Sequence, residues 1–332
     1  MIPAENPVGK ALIREEETSM QYIANTKEFH IAEPTVVSIG KFDGLHCGHK
    51  KLVAEMMNYR VQGRKAAMFT FSTPPGTLVK GKVQNVIMTN REREQLLEEA
   101  GLDYLVEYPF DDEVRTMAPE AFISDILVGK MNAQIIVTGP DCRFGYKAAG
   151  DRALLEAMAS KYGYRYIVVE KAKDSDYKII SSTYVRDLLA EGRIMKANKL
   201  LGYRYFITGI VEHGKSIGHR RLYPTANLVP PKEKHLPKYG VYVARVTVDG
   251  KTYGGLTNVG EKPTIEGKNP AGVETYLYDF DGNLYGKEIK VELLDFVRPE
   301  MKFSSIEELK AQLDYDVKAC KEMYEDFLQS VL

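Results

Sequence analysis

The sequence predicts two unlike domains in series: an α/β domain on a Rossmann-like parallel sheet, then an antiparallel β-barrel with a terminal α-helix. Three observations predict this division. Apolar runs alternate with helical patterns in the first part of the chain, strand-like runs joined by Asp-Gly turns follow, and a long amphipathic segment ends it. The length of 332 residues agrees, because single hydrophobic cores rarely grow beyond about 250–300 residues.

Composition narrows the class of function. Lys and Arg total 45 against 46 Asp and Glu, a net charge of -1, so the chain lacks the global positive field of a general nucleic-acid binder. Cys47, Cys142 and Cys320 are odd in number and far apart, which indicates neither a disulfide framework nor a cysteine zinc site. No apolar run approaches the roughly 20 residues that span a bilayer, and the N-terminus lacks the basic-then-apolar order of a secretory signal. The expectation is a cytoplasmic protein acting on small molecules, with no nucleic-acid, membrane or obligate protein partner.

Residues 1–19, with Glu15, Glu16 and Glu17 and little apolar periodicity, read as an N-terminal extension outside the core. The first domain is expected over 20–202. Val36, Val37 and Ile39 form a buried strand; Leu52, Val53, Met56 and Met57 lie on one face of a helix; residues 66–71 form the next strand. The alternation continues as helix 91–100, strand 134–138, helix 154–161, strand 165–170 and a helical stretch at 183–201, which reads as a parallel sheet.

The second domain is expected over 203–332. Asp249-Gly250 between strand-like 241–248 and 251–256 signals a hairpin, a second pair, Asp281-Gly282, follows 273–280, and 289–297 is a further strand. Ser304 and Glu307 have capping-box spacing ahead of Ile306, Leu309, Leu313, Val317 and Met323, so a long helix should cover one barrel face.

Residues that carry chemistry fall in the loops. The run Gly40 to His49 lies between the first strand and the first helix, where a parallel sheet presents its ligand crevice. Gly44 and Gly48 let backbone approach a polyphosphate, the helix start offers unpaired N–H groups, and His46 and His49 can donate hydrogen bonds to phosphoryl oxygens. Such catalysis consists of positioning and charge stabilisation, with no protein nucleophile. An arbitrary HxxH pair closes a surface turn or supplies part of a metal site more often; the glycine frame and the strand-to-helix location favour phosphate here. A second cluster, Ser181, Ser182, Thr183 and Arg186, packs hydroxyls, helix-start N–H groups and a guanidinium together; alone it is also what an N-cap looks like. Neither run is a Walker P-loop.

In the second half, Gly214, Gly218, Pro224 to Asn227 and 258–264 read as loops at a barrel mouth. Thr225 and Asn227 stand on one face of an extended segment and suit a hydrated magnesium ion carrying phosphates; an ordinary turn opened by Pro224 fits as well. Period-two alternation sets Glu274 opposite Val273 and Thr275, where it serves as a general base if it faces the interior and as an ordinary carboxylate if it faces water.

The run GKFDGLHCGHK, followed by SSTYVR, resembles the HxGH nucleotidyltransferase superfamily, and within it the FMN adenylyltransferase half of bacterial bifunctional FAD synthetases, over about 20–200. Residues 139–145 are similar to that family's flavin-side loop, with Cys142 where an aromatic is more usual, and 70–75 resembles its second strand and loop without the usual histidine. The order PTAN, NVGEKPT, VETYLYDF, DGNLYG and terminal helix resembles the riboflavin kinase module over about 203–330. Departures lie at His219, Arg221, Leu222 and Tyr223, which stand on the pattern GRxLGF, and at Tyr276, where a histidine is frequent.

The resemblance implies two Mg2+-dependent reactions: phosphorylation of riboflavin to FMN in the second domain, and adenylylation of FMN to FAD with release of pyrophosphate in the first. For adenylylation it assigns ATP to Gly40, Phe42, Asp43, Gly44, Gly48, Ser181, Ser182 and Thr183, catalysis to His46, His49 and Arg186, and flavin to Asp141, Arg143 and Phe144. For phosphorylation it assigns ATP to Gly214, Gly218, Pro224, Thr225 and Asn227, the metal to Thr225 and Asn227, and the base to Glu274. The departures keep two alternatives open, a chain retaining one activity and a flavin-binding regulator with degenerate sites.

Overall fold

The computed structural model describes residues 20–73, 76, 85–212, 223–261 and 271–331. The expected extension 1–19, Gly214, Gly218, His219, Arg221, Leu222 and 262–264 lie outside the described residues. The chain divides into two compact units, 1–180 and 181–332.

In the first unit, β1 (Gln21–Ala24), β2 (Thr35–Ile39), β3 (Lys65–Phe71), β4 (Tyr104–Tyr108), β5 (Ala133–Thr138) and β6 (Arg165–Val168) form one sheet in the order β1-β4-β3-β2-β5-β6. Every pairing is parallel. Helices α1 (Cys47–Arg60), α2 (Asn90–Glu99), α3 (Asp112–Thr116), the π-wound α4 (Phe122–Lys130) and α5 (Arg152–Tyr162) lie between the strands in sequence. All five residues of β2 and of β4 are buried, as expected where helices cover a parallel sheet. Glu107 in β4 is admitted to this interior because Arg93 of α2 pairs with it and the Tyr22 hydroxyl donates to it at 2.7 Å. Thr89 and Glu92 form a reciprocal capping box that starts α2.

The second unit opens with α6 (Ser182–Glu191) and α7 (Ile194–Leu201), then β7 (Phe206–Ile210), β8 (Ala226–Leu228), β9 (Gly240–Val248), β10 (Lys251–Glu261), β11 (Ala271–Leu277), β12 (Glu288–Pro299) and α8 (Ile306–Val331). The strands run antiparallel in the order β7-β12-β9-β10-β11-β8, and a bridge between Glu212 and Asn227 joins the continuation of the first edge strand to the last, nearly closing a barrel. The helix pair packs on this barrel: the Asn198 amide donates to the Leu293 carbonyl at 2.9 Å, and Asn198 Oδ1 accepts from the Tyr205 N–H at 2.7 Å.

The two Asp-Gly pairs take different roles. Asp249 (φ 48) and Gly250 (φ 73) both occupy the left-handed region and make the tight hairpin between β9 and β10. Asp281-Gly282 makes no hairpin, because β12 pairs with β9 and β7 rather than with β11, so the chain there crosses over. The helix start is also displaced by one residue: Ser305 Oγ accepts from the Glu308 N–H at 3.1 Å, and the Glu308 carboxylate accepts from Ser304 N–H and hydroxyl at 2.9 and 2.7 Å.

Helix α8 lies close over β10, where a Cβ on Gly254 would come 2.5 Å from the Tyr324 ring. Val317, Cys320, Met323, Tyr324 and Phe327 pack on Val241, Val243 and Leu256. Arg298 of β12 donates to Asp316 through Nε at 3.1 and 3.0 Å and through Nη2 at 2.6 Å, with Asp316 fully buried. Asp316→Ala strands this guanidinium and should destabilise the second unit by about 3 kcal/mol. A urea titration following that unit checks this; Asp316→Asn, which keeps an acceptor, should lose less.

Candidate active sites

Strand order reverses at β2, with β3 and β4 on one side and β5 and β6 on the other, which opens a crevice beyond its carboxyl end. The loop from Gly40 to His46 occupies that end, and α1 starts at Cys47. Phe42 (φ 49), Gly44 (φ 83) and Leu45 (φ 36) turn the chain tightly. A Cβ on Gly44 would lie 2.9 Å from Ile87 Cδ1, so both the dihedral and the space call for glycine. Asp43 braces the loop, its Oδ1 accepting the Ile87 and Met88 N–H groups at 2.7 and 3.4 Å. The Phe42 ring is buried beneath Gly40, where a Cβ would stand 3.1 Å from it.

The two imidazoles stack, with ring centroids 3.8 Å apart and planes 16° from parallel, and Phe42 meets His49 edge-on at 5.4 Å. A Cβ on Gly48 would come 3.1 Å from the His46 ring, so glycine is the residue that lets the ring lie against the helix start. His46 stands at the N-cap of α1 without capping it, and the first turn holds no acidic residue. The buried Nδ1 atoms of His46 and His49 have no hydrogen-bond partner among the described residues. Burial pushes His46 down to about 4. Burial, and then the neighbouring His46, holds His49 well below the ordinary histidine range. Both rings are therefore neutral at pH 7, each carrying one N–H and one lone pair beside the positive end of a helix. Phosphoryl oxygens suit such a place.

The structure brings Gly40, Phe42, Asp43, Gly44, His46, Gly48 and His49 together. Ser181, Ser182, Thr183 and Arg186 stand at the start of α6, in the second compact unit. Ser181 has the capping role there, its Oγ accepting the Tyr184 N–H at 3.2 Å.

The loop after β5 ties its polar residues to the fold. Exposed Asp141 pairs with Lys171 at 2.8 Å, and Arg143 pairs with Asp151, the N-cap of α5, at 2.7 Å. The Phe144 ring is buried in the core 5.5 Å from Phe122. Burial pushes the Cys142 thiol up to about 12, so it is no nucleophile at neutral pH.

The second site is a row across three strands. Glu274 of β11 lies in register with Asn227 of β8 on one side and Asn258 of β10 on the other. Val273, Thr275 and Leu277 are buried on the opposite face, as the alternation requires, while Asn227, Asn258 and Glu274 are half-buried. Sequence reasoning assigned 258–261 to a loop and so passed over Asn258; these residues belong to β10, and the period-two spacing of Leu256 and Asn258 was the available signal. Thr225 lies just before β8, its carbonyl accepting the Asn227 amide at 3.3 Å.

Among the described residues no group of three or more His, Cys, Asp or Glu is arranged around a common point. A magnesium ion takes oxygen ligands, keeps several waters and is carried largely by phosphates, so two or three protein oxygens suffice.

Fold and sites together define a nucleotide-dependent transferase of two domains. A family model described as FAD synthetase matches residues 28–184, and one described as riboflavin kinase matches 201–324. The bifunctional riboflavin kinase/FMN adenylyltransferase of Bacillus subtilis (strain 168) is 32% identical over 306 residues, covering 87% of this chain and 96% of that protein. Its counterpart from Escherichia coli (strain K12) is 34% identical over 298 residues, covering 88% and 93%. The crystal structure of a macrolide-efflux protein from Streptococcus pneumoniae superposes with a TM-score of 0.76 at 30% identity, covering 87% of this chain and 94% of that one. The chain belongs to the bifunctional riboflavin kinase/FMN adenylyltransferase family. No helix among the described residues is long and apolar enough to cross a membrane.

Depressed histidines give a signed pH dependence. Between about 4 and 6.5 the folded His46 binds fewer protons than the unfolded chain, and His49 is shifted the same way, so stability falls as pH is lowered through that window. Unfolding of the first unit, followed from pH 7 to pH 4.5, should show this loss; His46→Asn should show a flatter profile.

Proposed function

We propose that the chain makes FAD from riboflavin in two steps, with residues 203–332 phosphorylating riboflavin to FMN and residues 20–202 adenylylating FMN. The observation that carries the reading is the neutral, stacked His46–His49 pair at the strand-order reversal, together with the Asn227–Glu274 row in the barrel. Each is a phosphate-handling arrangement in its own unit.

In phosphorylation, Glu274 takes the proton of the riboflavin 5'-hydroxyl, whose oxygen attacks the γ-phosphorus of ATP; the bond to the bridging oxygen breaks and ADP leaves. Thr225 and Asn227, on the segment that Pro224 opens, would hold a magnesium ion, which would supply neutralisation of phosphate charge. Gly214 and Gly218 are assigned to the same nucleotide from sequence. In adenylylation, a phosphate oxygen of FMN attacks the α-phosphorus of ATP, and pyrophosphate leaves as the Pα–O bond to the β-phosphate breaks. His46 and His49 donate hydrogen bonds to the phosphoryl oxygens, Gly40, Phe42, Asp43, Gly44 and Gly48 shape the loop that admits them, and Ser181, Ser182, Thr183 and Arg186 carry the adenylylation roles that the sequence resemblance implies. Asp141 and Arg143 offer polar groups to the flavin, and Phe144 anchors their loop. The substrates are small molecules alone, and Cys47, Cys142 and Cys320, which form no disulfide among the described residues, suit a reducing cytoplasm.

Purified protein given ATP, Mg2+ and riboflavin should yield FMN and then FAD by chromatography; folded protein that forms neither from riboflavin or FMN ends this reading. His46→Asn or His49→Asn should lower FAD formation from FMN by about 10²–10³, as removal of a charge-stabilising donor does, and leave FMN formation intact. Glu274→Gln should do the reverse, suppressing FMN formation while supplied FMN is still adenylylated.

A further inference from the structure

Strand β8 is only three residues long, and Pro224 before Thr225 has no N–H to extend its ladder. Thr225 therefore lies just where the ladder has ended, while Asn227 is held by its pairing with Glu274 and its bridge to Glu212. Continuing the register of β11 and β8 by one residue brings Thr225 opposite Tyr276.

Side chains supply what the ladder lacks. The Tyr223 ring packs against Tyr276, centroids 4.9 Å apart at 60°. The Tyr223 hydroxyl donates to Asp314 Oδ1 of α8 at 2.7 Å. That part of α8 is itself immobilised one half-turn on, where buried Asp316 accepts from Arg298 and, at 2.8 Å, from Gln312. Tyr223 is thus gripped on one side by the strand that carries Glu274 and on the other by a fixed helix.

We propose that Tyr223, clamped between Tyr276 and Asp314, is a positioning residue that holds Thr225 and Asn227 in place for magnesium-bound ATP in riboflavin phosphorylation. The inference rests on the kinase reading above. Tyr223 touches neither substrate; it acts through the two residues that follow Pro224. Loss of the clamp therefore weakens capture of the nucleotide–metal complex and leaves the proton transfer at Glu274 unchanged.

Steady-state FMN formation by the full chain, varying Mg-ATP and riboflavin separately, tests this. Tyr223→Ala removes ring packing and hydrogen bond and should raise KM for Mg-ATP about tenfold, with KM for riboflavin and kcat within about twofold. Tyr223→Phe keeps the ring and should raise it only about threefold, as should Asp314→Ala, and the double variant should be no worse than either, because both remove the same bond. A kcat for FMN formation held within about twofold reports that the barrel of each variant is folded, and FAD formation from supplied FMN should not change. An unaltered KM for Mg-ATP in Tyr223→Ala, or a fall in kcat with KM untouched, overturns the clamp while the kinase reading stands. Wild-type protein that forms no FMN overturns both.

Discussion

A parallel sheet leaves an opening where its strand order reverses, and the first unit is organised around that opening. Everything placed there follows from β2 having β3 on one side and β5 on the other. The loop after Ile39 must turn at once, which left-handed residues accomplish, and the helix that follows must begin with its N–H groups directed outward. The pair of imidazoles is a further product of the same geometry. His46 folds back on the helix start because position 48 has no side chain, and His49, one turn into the helix, meets it face to face. Asp43, within the loop, accepts the Ile87 and Met88 N–H groups and so ties the loop to the segment ahead of α2.

The barrel reaches a comparable end by register. A strand alternates its side chains between two faces, so a slip of one residue would carry Glu274 to the face of Val273 and Thr275 and bury it in the core. Pairing with both β8 and β10 prevents that slip. The terminal helix secures the same sheet through apolar contacts and the ion pair of Arg298 with Asp316.

Much of this was legible in the sequence where the signal was local. The run Thr35–Ile39 is uniformly buried and reads as a parallel-sheet strand; the helix after it shows its apolar face at helical spacing; Asp249-Gly250 announces its hairpin. Strand β4 was hidden because Glu107 interrupts the apolar run, and its partners Arg93 and Tyr22 are evident only once the chain is folded. The residues 304–308 satisfy capping-box spacing in two ways, and spacing alone does not choose Ser305 with Glu308. The helical character of 182–201 was plain, but that it packs on β12 depends on Leu293, which lies far along the chain. Among the candidate sites, glycines and histidines gathered in one loop were readable, whereas Asn258 depended on knowing where β10 ends.

Burial keeps both imidazoles uncharged at neutral pH in the crevice beyond β2. Under the function proposed above, phosphate oxygens set against the rings would favour their protonated forms, so nucleotide and hydrogen ion would become mutual ligands of the same pocket. The heat of nucleotide binding would then depend on the ionisation enthalpy of the buffer that surrenders the hydrogen ion, and acidity within the range where the folded state survives would tighten binding rather than loosen it.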